Sequence, residues 1–269
     1  TSSLYAGLQL ILPGEVAPAH RHAQSALRFV VEGQGAYTAV GGEKTIMAPG
    51  DFVITPSWAW HDHGNDSNAP MVWMDGLDIP IVSLLDASFA ESYPDDSHPT
   101  TRPVGDSLAR YGAGLLPVGH ERQALTSPVF NYPYARTREA LEQMRRADEW
   151  DPCHGIKLRY TNPVDGGWAM PTMGTFMQLI PKGFKTQPYR STDGIVFSVV
   201  EGNGRTIITG HDGAPVTFTW GPRDTFVIPS WLWHRFEVED DAVLFSFSDR
   251  PVQEKLGLWR EMRGNAKSR

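Results

Sequence analysis

Hydrophobic and polar residues alternate along short segments of this chain, and glycine, proline or aspartate separates one segment from the next. In the first part of the chain the segments read LQLILPG, ALRFVVEGQG, AYTAVGG, DFVITP and MVWMDGLDI. A period of two predicts strands with one buried face, and regular turn signals between short strands are typical of an antiparallel sandwich or barrel. The pattern therefore predicts an all-β fold.

The alternating pattern occurs twice, because the two halves of the chain resemble each other. Residues 9–35 align without a gap on residues 178–204, and ten of the 27 positions are identical. The run DFVITPSWAWH (51–61) aligns with DTFVIPSWLWH (224–234), and six of these 11 positions are identical. Two blocks in the same order and at nearly the same spacing indicate an internal duplication. We therefore expect two tandem barrels.

The region between the two copies has a different pattern. Residues 93–105 (YPDDSHPTTRPVG) have the composition of a loop, and residues 137–151 (TREALEQMRRADEWD) place Leu141 and Met144 on one helix face. The carboxy-terminal stretch PVQEKLGLWREMRG predicts a second short helix. The predicted organisation is a first barrel at 1–90, a loop and helical linker at 91–152, a second barrel at 153–260 and a tail at 261–269.

Composition narrows the class of protein. The chain has 269 residues, 41% of them hydrophobic, and a net charge of −7, which gives no basic patch for nucleic acid. No apolar run has membrane-spanning length, and the start of the chain lacks the pattern of a signal peptide. A single cysteine excludes an internal disulfide and fits a cytoplasmic location. The first residues read as a strand already under way, so we expect the natural protein to have an amino-terminal extension.

Histidines in the first copy form a candidate metal site. His20 and His22 lie two residues apart in a predicted strand, so both side chains point to the same face, and His61 lies in a later strand with His63 two residues beyond it. Three imidazoles that meet across a small barrel suit a first-row transition metal and leave coordination positions open. Isolated histidines in such positions are more often surface or hydrogen-bonded core residues, but two paired sets favour a metal site.

The second copy serves as an internal control for this interpretation. It retains the glycines and tryptophans of the first copy, together with His234 in the place of His61. It has lost the other polar residues of the set, which are replaced as follows: His20 by Tyr189, His22 by Ser191, Arg28 by Phe197 and His63 by Phe236. Residues required only for folding should persist in both copies. The lost residues are therefore assigned to chemistry, and the site should hold one metal per chain.

The motifs around these histidines resemble a known family. PGEVAPAHRHAQSALRFVVEGQG (13–35) and PGDFVITPSWAWHDHGN (49–65) are similar to the two cupin motifs of the gentisate dioxygenase family, which includes salicylate and 1-hydroxy-2-naphthoate dioxygenases. General cupins place a glutamate four or five residues after the HxH motif, where this chain has Ala26 and Leu27. That absence is itself the pattern of this family.

The resemblance implies a fold, a cofactor and an assembly. The fold would be two tandem cupin (double-stranded β-helix, or jelly-roll) barrels, of which the second is degenerate. His20, His22 and His61 would hold one Fe(II) per chain, although three imidazoles alone do not select iron over manganese, nickel or zinc. Relatives are homo-tetramers or similar, so a homo-oligomer is expected. In relatives an amino-terminal segment helps to close the pocket.

Five further residues are candidates for the substrate site. Arg28 has the strand parity of His20 and His22, and it is placed to clamp a substrate carboxylate or else to form a structural ion pair. Gln9 and His63 are expected to hydrogen-bond substrate or O₂, or else Gln9 makes only a polar contact in the barrel wall. Asp75 would orient a ligand histidine or act as a base, or it is simply a turn residue. Trp73 would line an aromatic pocket or pack in the core.

Three functions fit these residues. The first is ring cleavage of an aromatic ortho-hydroxy acid by O₂, between the carboxyl-bearing and hydroxyl-bearing carbons, with gentisate as the default and salicylate or 1-hydroxy-2-naphthoate open. The second is a non-catalytic bicupin that binds a metal or an acid. The third is a metal-dependent isomerase or hydrolase, which would ordinarily keep the carboxylate ligand that is missing here. Oxygen uptake with gentisate distinguishes the first function from the other two.

Overall fold

The computed structural model describes residues 1–121, 124–147, 149–210 and 213–264. The chain divides into two compact units. One comprises residues 3–136 and 161–171, and the other comprises residues 1–2, 137–160 and 172–269. The predicted all-β fold is confirmed, since in each unit the described residues form two five-stranded antiparallel sheets.

The described residues of the first unit form ten strands. They are β1 (Tyr5–Ile11), β2 (Val16–His22), β3 (Ala26–Glu32), β4 (Ala36–Val40), β5 (Glu43–Ile46), β6 (Phe52–Thr55), β7 (His61–Asn65), β8 (Met71–Leu77), β9 (Ala90–Ser92) and β10 (Asn131–Tyr132). One sheet has the order β1-β8-β3-β6-β10 and the other has the order β5-β4-β7-β2-β9. The apolar face between them is the core, which includes Ile11, Val30, Met47, Val53 and Trp73.

The second unit repeats this arrangement. Its strands are β11 (Ile156–Arg159), β12 (Gly174–Ile180), β13 (Tyr189–Ser191), β14 (Ile195–Glu201), β15 (Gly204–Thr209), β16 (Pro215–Trp220), β17 (Thr225–Ile228), β18 (Trp233–Val238), β19 (Ala242–Ser248) and β20 (Glu261–Arg263). The sheets have the orders β11-β12-β19-β14-β17 and β16-β15-β18-β13-β20. Its hydrophobic core includes Phe197, Ile208, Phe236 and Leu244, and Phe197 and Phe236 occupy the positions of Arg28 and His63 in the first barrel.

Four helices are present in the described residues: α1 (Ile79–Leu84), α2 (Asp106–Tyr111), α3 (Tyr134–Arg145) and α4 (Arg250–Lys255). The helix predicted at 137–151 is α3, which begins three residues earlier than predicted and ends at Arg145. Its earlier start has a tertiary cause, because a carboxylate oxygen of Asp51 accepts a hydrogen bond from the backbone N–H of Tyr134 at 2.9 Å. A distant side chain thus satisfies a free N–H group of the first turn.

The carboxy-terminal stretch differs in part from the predicted helix. The helix α4 ends at Lys255, and Gly257 then adopts a positive φ of 71°. A left-handed glycine is a common helix terminator, and here it turns the chain back. Residues 261–263, predicted as tail, form β20 against β13, while residues 265–269 of that tail lie outside the described residues.

The predicted linker at 91–152 contributes to the first barrel. The strand β9 pairs with β2 along one edge, and β10 pairs with β6. The helix α2 also belongs to this unit. No helix of the described residues combines the length and the hydropathy needed to cross a bilayer.

The residues shared by the two copies form the same local structure in both. The guanidinium carbon of Arg21 lies 4.4 and 4.5 Å from the ring centroids of Trp58 and Trp60. Arg190 lies 4.3 and 4.5 Å from the two equivalent tryptophans. Trp58 and Trp231 both adopt a φ of 63°, which is unusual for a large residue. This cation–π arrangement therefore belongs to the fold.

Candidate metal centre

Two neighbouring strands bring the histidines together. His20 and His22 lie at the end of β2, and His61 begins β7. The two strands pair antiparallel with His20 directly opposite His61. Between Ala17 and His20 the strand β2 has one residue more than β7, and this register shift places His20 opposite His61. Side chains opposite each other in a strand pair are close on the same face, so the three imidazoles converge.

The geometry of the three rings suits a metal ion. The ring centroids of His20 and His61 are 4.4 Å apart, those of His22 and His61 are 4.8 Å apart, and those of His20 and His22 are 5.5 Å apart. One ring nitrogen from each of the three lies within 4.8 Å of the others. Among the described residues, these are the only three histidine, cysteine or acidic residues that meet in this way.

Hydrogen bonds fix the ring orientation of all three residues. The Nδ1 atoms of His20, His22 and His61 lie 2.7, 2.8 and 2.8 Å from the carbonyl oxygens of residues 18, 24 and 59. A carbonyl only accepts, so each Nδ1 carries a proton, and in the neutral ring the Nε2 presents its lone pair. The buried Nε2 of His61 has no hydrogen-bond partner in the protein. Such backbone-oriented imidazoles are typical of metal ligands, and the donor set fits a divalent cation.

The charge state of the site agrees with this assignment. His61 is completely buried, and burial together with the nearby Arg28 charge lowers its pKa to about 2. Burial also lowers the pKa of His22. Both imidazoles are therefore neutral near pH 7, which is the form that binds a metal.

His63 lies next to the three histidines but has a different environment. Its ring centroid is 5.5 Å from that of His61 and 6.1 Å from that of Trp73. Its Nδ1 lies 3.0 Å from the hydroxyl oxygen of Thr38, and its buried Nε2 has no hydrogen-bond partner. The Thr38 hydroxyl donates its one proton to the Met47 sulfur at 3.3 Å, so Nδ1 of His63 is the donor towards Thr38. Burial and the Arg28 charge keep the pKa of His63 well below its ordinary value.

Arg28 is buried and held at both ends of its guanidinium. Its Nη1 donates to the hydroxyl of Thr55 at 2.6 Å, and its Nε lies 3.4 Å from a carboxylate oxygen of Asp75. Burial raises the pKa of Asp75 although the Arg28 charge opposes this shift. The ion pair that the sequence left open as an alternative for Arg28 is thus present. It also fixes the guanidinium on the inner face of β3.

Strand pairing places the remaining candidates on the same inner face. Asp75 pairs with Arg28 across β8 and β3, and Trp73 pairs with Gln9 across β8 and β1. Trp73 is completely buried in the core, and its Nε1 donates to Asp75 at 3.1 Å. Gln9 is half-buried. The structure therefore brings all eight candidates to one barrel interior, and the roles of Gln9, Trp73 and Asp75 stay predictions.

Two supporting residues were not found from the sequence. Thr55 and Thr38 hold Arg28 and His63. Thr55 aligns with Ile228 in the second copy, so its loss together with Arg28 was a signal that the comparison of the copies could have used. Thr38 pairs with His63 in the first barrel as Thr206 pairs with Phe236 in the second. Comparison of the copies assigns a retained threonine to the fold, so only the strand pairing reveals its contact with the site.

Comparison with known proteins identifies the family. Residues 7–79 match the cupin domain family. The chain is 64% identical over 263 residues to gentisate 1,2-dioxygenase 1 of Aquipseudomonas alcaligenes, covering 98% of this chain and 74% of that protein. The chain belongs to the gentisate 1,2-dioxygenase family. The resemblance drawn from the cupin motifs is thus confirmed, and the members of this family are ring-cleaving dioxygenases.

Two further relatives are dioxygenases named for other aromatic acids. A 5-aminosalicylate 1,2-dioxygenase of Comamonas sp. is 39% identical over 258 residues, covering 94% of this chain and 67% of that protein. A crystal structure of the salicylate 1,2-dioxygenase of Pseudaminobacter salicylatoxidans with gentisate superposes with a TM-score of 0.90 and 33% identity. That alignment covers 98% of this chain and 73% of the other, which confirms the cupin fold across both units.

Proposed function

We propose that this chain is an Fe(II)-dependent dioxygenase that opens gentisate between its carboxyl-bearing and hydroxyl-bearing ring carbons. The observation that carries the proposal is the convergence of three imidazoles, whose Nδ1 atoms are held by backbone carbonyls, beside a buried arginine. Fe(II) held by His20, His22 and His61 would supply open positions for the substrate oxygens and O₂ and the redox chemistry of oxygen activation.

The names of the relatives support a particular class of substrate. Gentisate and 5-aminosalicylate are both 2-hydroxybenzoates that carry an electron-donating group at carbon 5. Such a group makes the ring easier to oxidise. We therefore place gentisate first among the substrates of this chain, with 5-aminosalicylate and salicylate as further candidates for the same site.

Residues of the barrel interior each make a different contact with this substrate. Arg28 pairs with the carboxylate, because a guanidinium already fixed by Thr55 and Asp75 loses little freedom when it binds. Asp75 acts through its Oδ1, which positions Arg28. The base role predicted for Asp75 needs its other carboxylate oxygen and stays a prediction. Gln9 faces the same interior and donates or accepts a hydrogen bond at the substrate.

His63 handles the proton of the substrate hydroxyl. Its Nδ1 proton is directed at Thr38, so its Nε2 presents a lone pair towards the interior. A neutral imidazole in this orientation accepts the hydroxyl proton and returns it to the product side of the reaction. The lowered pKa keeps the imidazole neutral before substrate binds.

Oxygen uptake tests the proposed function directly. The protein is loaded with Fe(II) under anaerobic conditions and then mixed with aerated gentisate in an oxygen electrode. We expect one O₂ consumed per gentisate, with appearance of a ring-opened acid that absorbs in the near ultraviolet. His61→Ala treated identically is the control. If the wild-type protein consumes no more oxygen than this variant, the catalytic proposal is wrong and a binding function remains.

Substitution of Arg28 should separate substrate binding from metal binding. We expect Arg28→Met to raise KM for gentisate at least about tenfold while metal content is unchanged, since a charge-assisted pair contributes about 1.5–3 kcal/mol. Arg28→Lys should restore part of the affinity. Arg110→Met, at a half-exposed position on α2, is the matched control. An unchanged KM in Arg28→Met would make the residue purely structural.

The assembly state of the protein is a separate proposal. The family resemblance favours a homo-tetramer or another homo-oligomer. Light scattering of the purified protein would give the mass directly, and a monomer of 29.9 kDa would contradict the proposal.

A further inference from the structure

The inner face of the second barrel carries a set of polar side chains that the proposed reaction does not use. Lys157 on β11 lies directly opposite Gln178 on β12. Gln178 pairs with Leu244, a core residue of the second barrel, so Lys157 and Gln178 both face the barrel interior. Ser246 lies two residues beyond Leu244 on β19 and shares that face.

These groups lack the partners that buried polar atoms normally have. The exposed fraction of Gln178 is 1% and that of Ser246 is 0%, yet Oε1 of Gln178 and Oγ of Ser246 have no hydrogen-bond partner in the protein. The amide nitrogen of Gln178 is fixed, because it donates to the carbonyl of residue 154 at 2.7 Å. A buried polar atom without a hydrogen-bond partner destabilises the folded protein, so two of them in one interior indicate that a polar ligand binds there.

The same interior contains a positive charge without an ion pair. The Lys157 ammonium lies 4.7 Å from the ring centroid of Phe176, and in the described part of the chain it has no hydrogen bond and no carboxylate within ion-pair distance. Burial lowers its pKa to about 8, partly opposed by the more distant Asp193 carboxylate. That carboxylate is itself engaged by the indole N–H of Trp259 at 3.1 Å.

The walls of this interior are aromatic. Ser246 is flanked in the sheet by Phe176 on β12 and Phe197 on β14, its two directly opposite partners. In the first barrel the corresponding pair is Asp75 and Arg28. The second barrel thus has Ser246 and Phe197 where the first barrel has an internal ion pair. Its positively charged residue, Lys157, lies on a different strand, β11.

We propose that the second barrel binds a small aromatic carboxylate, held by the Lys157 ammonium and the Ser246 hydroxyl between the phenyl rings of Phe176 and Phe197. The carboxylate supplies the negative charge that Lys157 lacks and an acceptor for Ser246, while the ring of the ligand packs against the phenyl rings. A hydroxyl group on the ligand ring would donate to Gln178 Oε1. This site is distinct from the metal centre, because all of its residues belong to the other unit.

Calorimetric titration of the Fe(II)-loaded protein with benzoate tests this proposal. Benzoate carries the carboxylate and the ring but lacks the hydroxyl required for cleavage. We expect two sites per chain, of which Arg28→Met weakens one and Lys157→Met weakens the other at least tenfold. Lys185→Met, at an exposed position of the same unit, should leave both unchanged. Benzamide, which has the same shape without the charge, should not bind at the Lys157 site.

The outcomes separate this site from the proposed catalytic function. A single site that is lost in Arg28→Met and retained in Lys157→Met overturns the second-barrel site and leaves the catalytic proposal intact. A single site lost only in Lys157→Met supports the second-barrel site and contradicts the role of Arg28. Equal binding of benzamide would show that charge is not recognised and would overturn the assignment. If Lys157→Met does not fold, Lys157→Gln replaces it under the same criteria.

Discussion

His61→Ala is expected to remove bound metal almost completely, whereas His234→Ala is expected to leave the metal content unchanged. The two residues occupy equivalent positions of the duplicated barrels, so the pair of variants is closely matched. His61 lies among three converging imidazoles. His234 has Tyr189 and Phe236 as ring neighbours, at 5.7 and 5.6 Å, and among the described residues it belongs to no group of three side chains that could hold a metal.

The expected size of the effect follows from the number of ligands. Loss of a residue that merely orients a ligand typically lowers metal affinity 10–100-fold, so loss of a ligand from a set of three should cost more than that. Metal content after dialysis, measured by mass spectrometry of the metal, gives the stoichiometry directly. We expect about one metal per chain in the wild-type protein and in His234→Ala. Equal loss of metal in both variants would contradict a single site in the first barrel.

Much of the fold could be predicted because the chain carries it twice. The alternating segments and the repeated SWxWH runs identified strands and a duplication, and the repeated tryptophans contact Arg21 and Arg190 in the same way. The strand β9 could not be predicted. Its residues Ala90–Ser92 are all exposed, so they show no alternation, and the strand forms through edge pairing with β2.

The residues of the candidate site could be predicted from the sequence, but the contacts between them could not. The loss of His20, His22 and Arg28 from the second copy singled out these residues without any structural information. The ion pair between Arg28 and Asp75 depends on the register between β3 and β8, which a strand pattern does not specify. The start of α3 depends on Asp51, which is 83 residues away from Tyr134 in sequence. Such long-range contacts override local propensity.

Substitution of His63 should lower turnover strongly while the metal stays bound. A positioned acid–base group contributes about 10²–10⁴ in rate, so we expect His63→Ala to lose kcat by that factor with little loss of metal. Neither the ring position of His63 nor its contact with Thr38 directs a nitrogen into the group formed by His20, His22 and His61. A fourth imidazole ligand would also occupy a position that substrate or O₂ requires.

Substitution of Thr38 provides a second test, with a smaller expected effect on kcat. Thr38→Val removes the partner of His63 Nδ1 while the imidazole stays in place, so the ring is less firmly oriented and kcat should fall by a smaller factor, about tenfold. Combined with His63→Ala, the second substitution should cause almost no further loss, because its effect acts through the imidazole. Additive losses would assign Thr38 a separate role. If His63→Ala is instead isolated without metal, His63 is a ligand, and the metal set must be redrawn to include it.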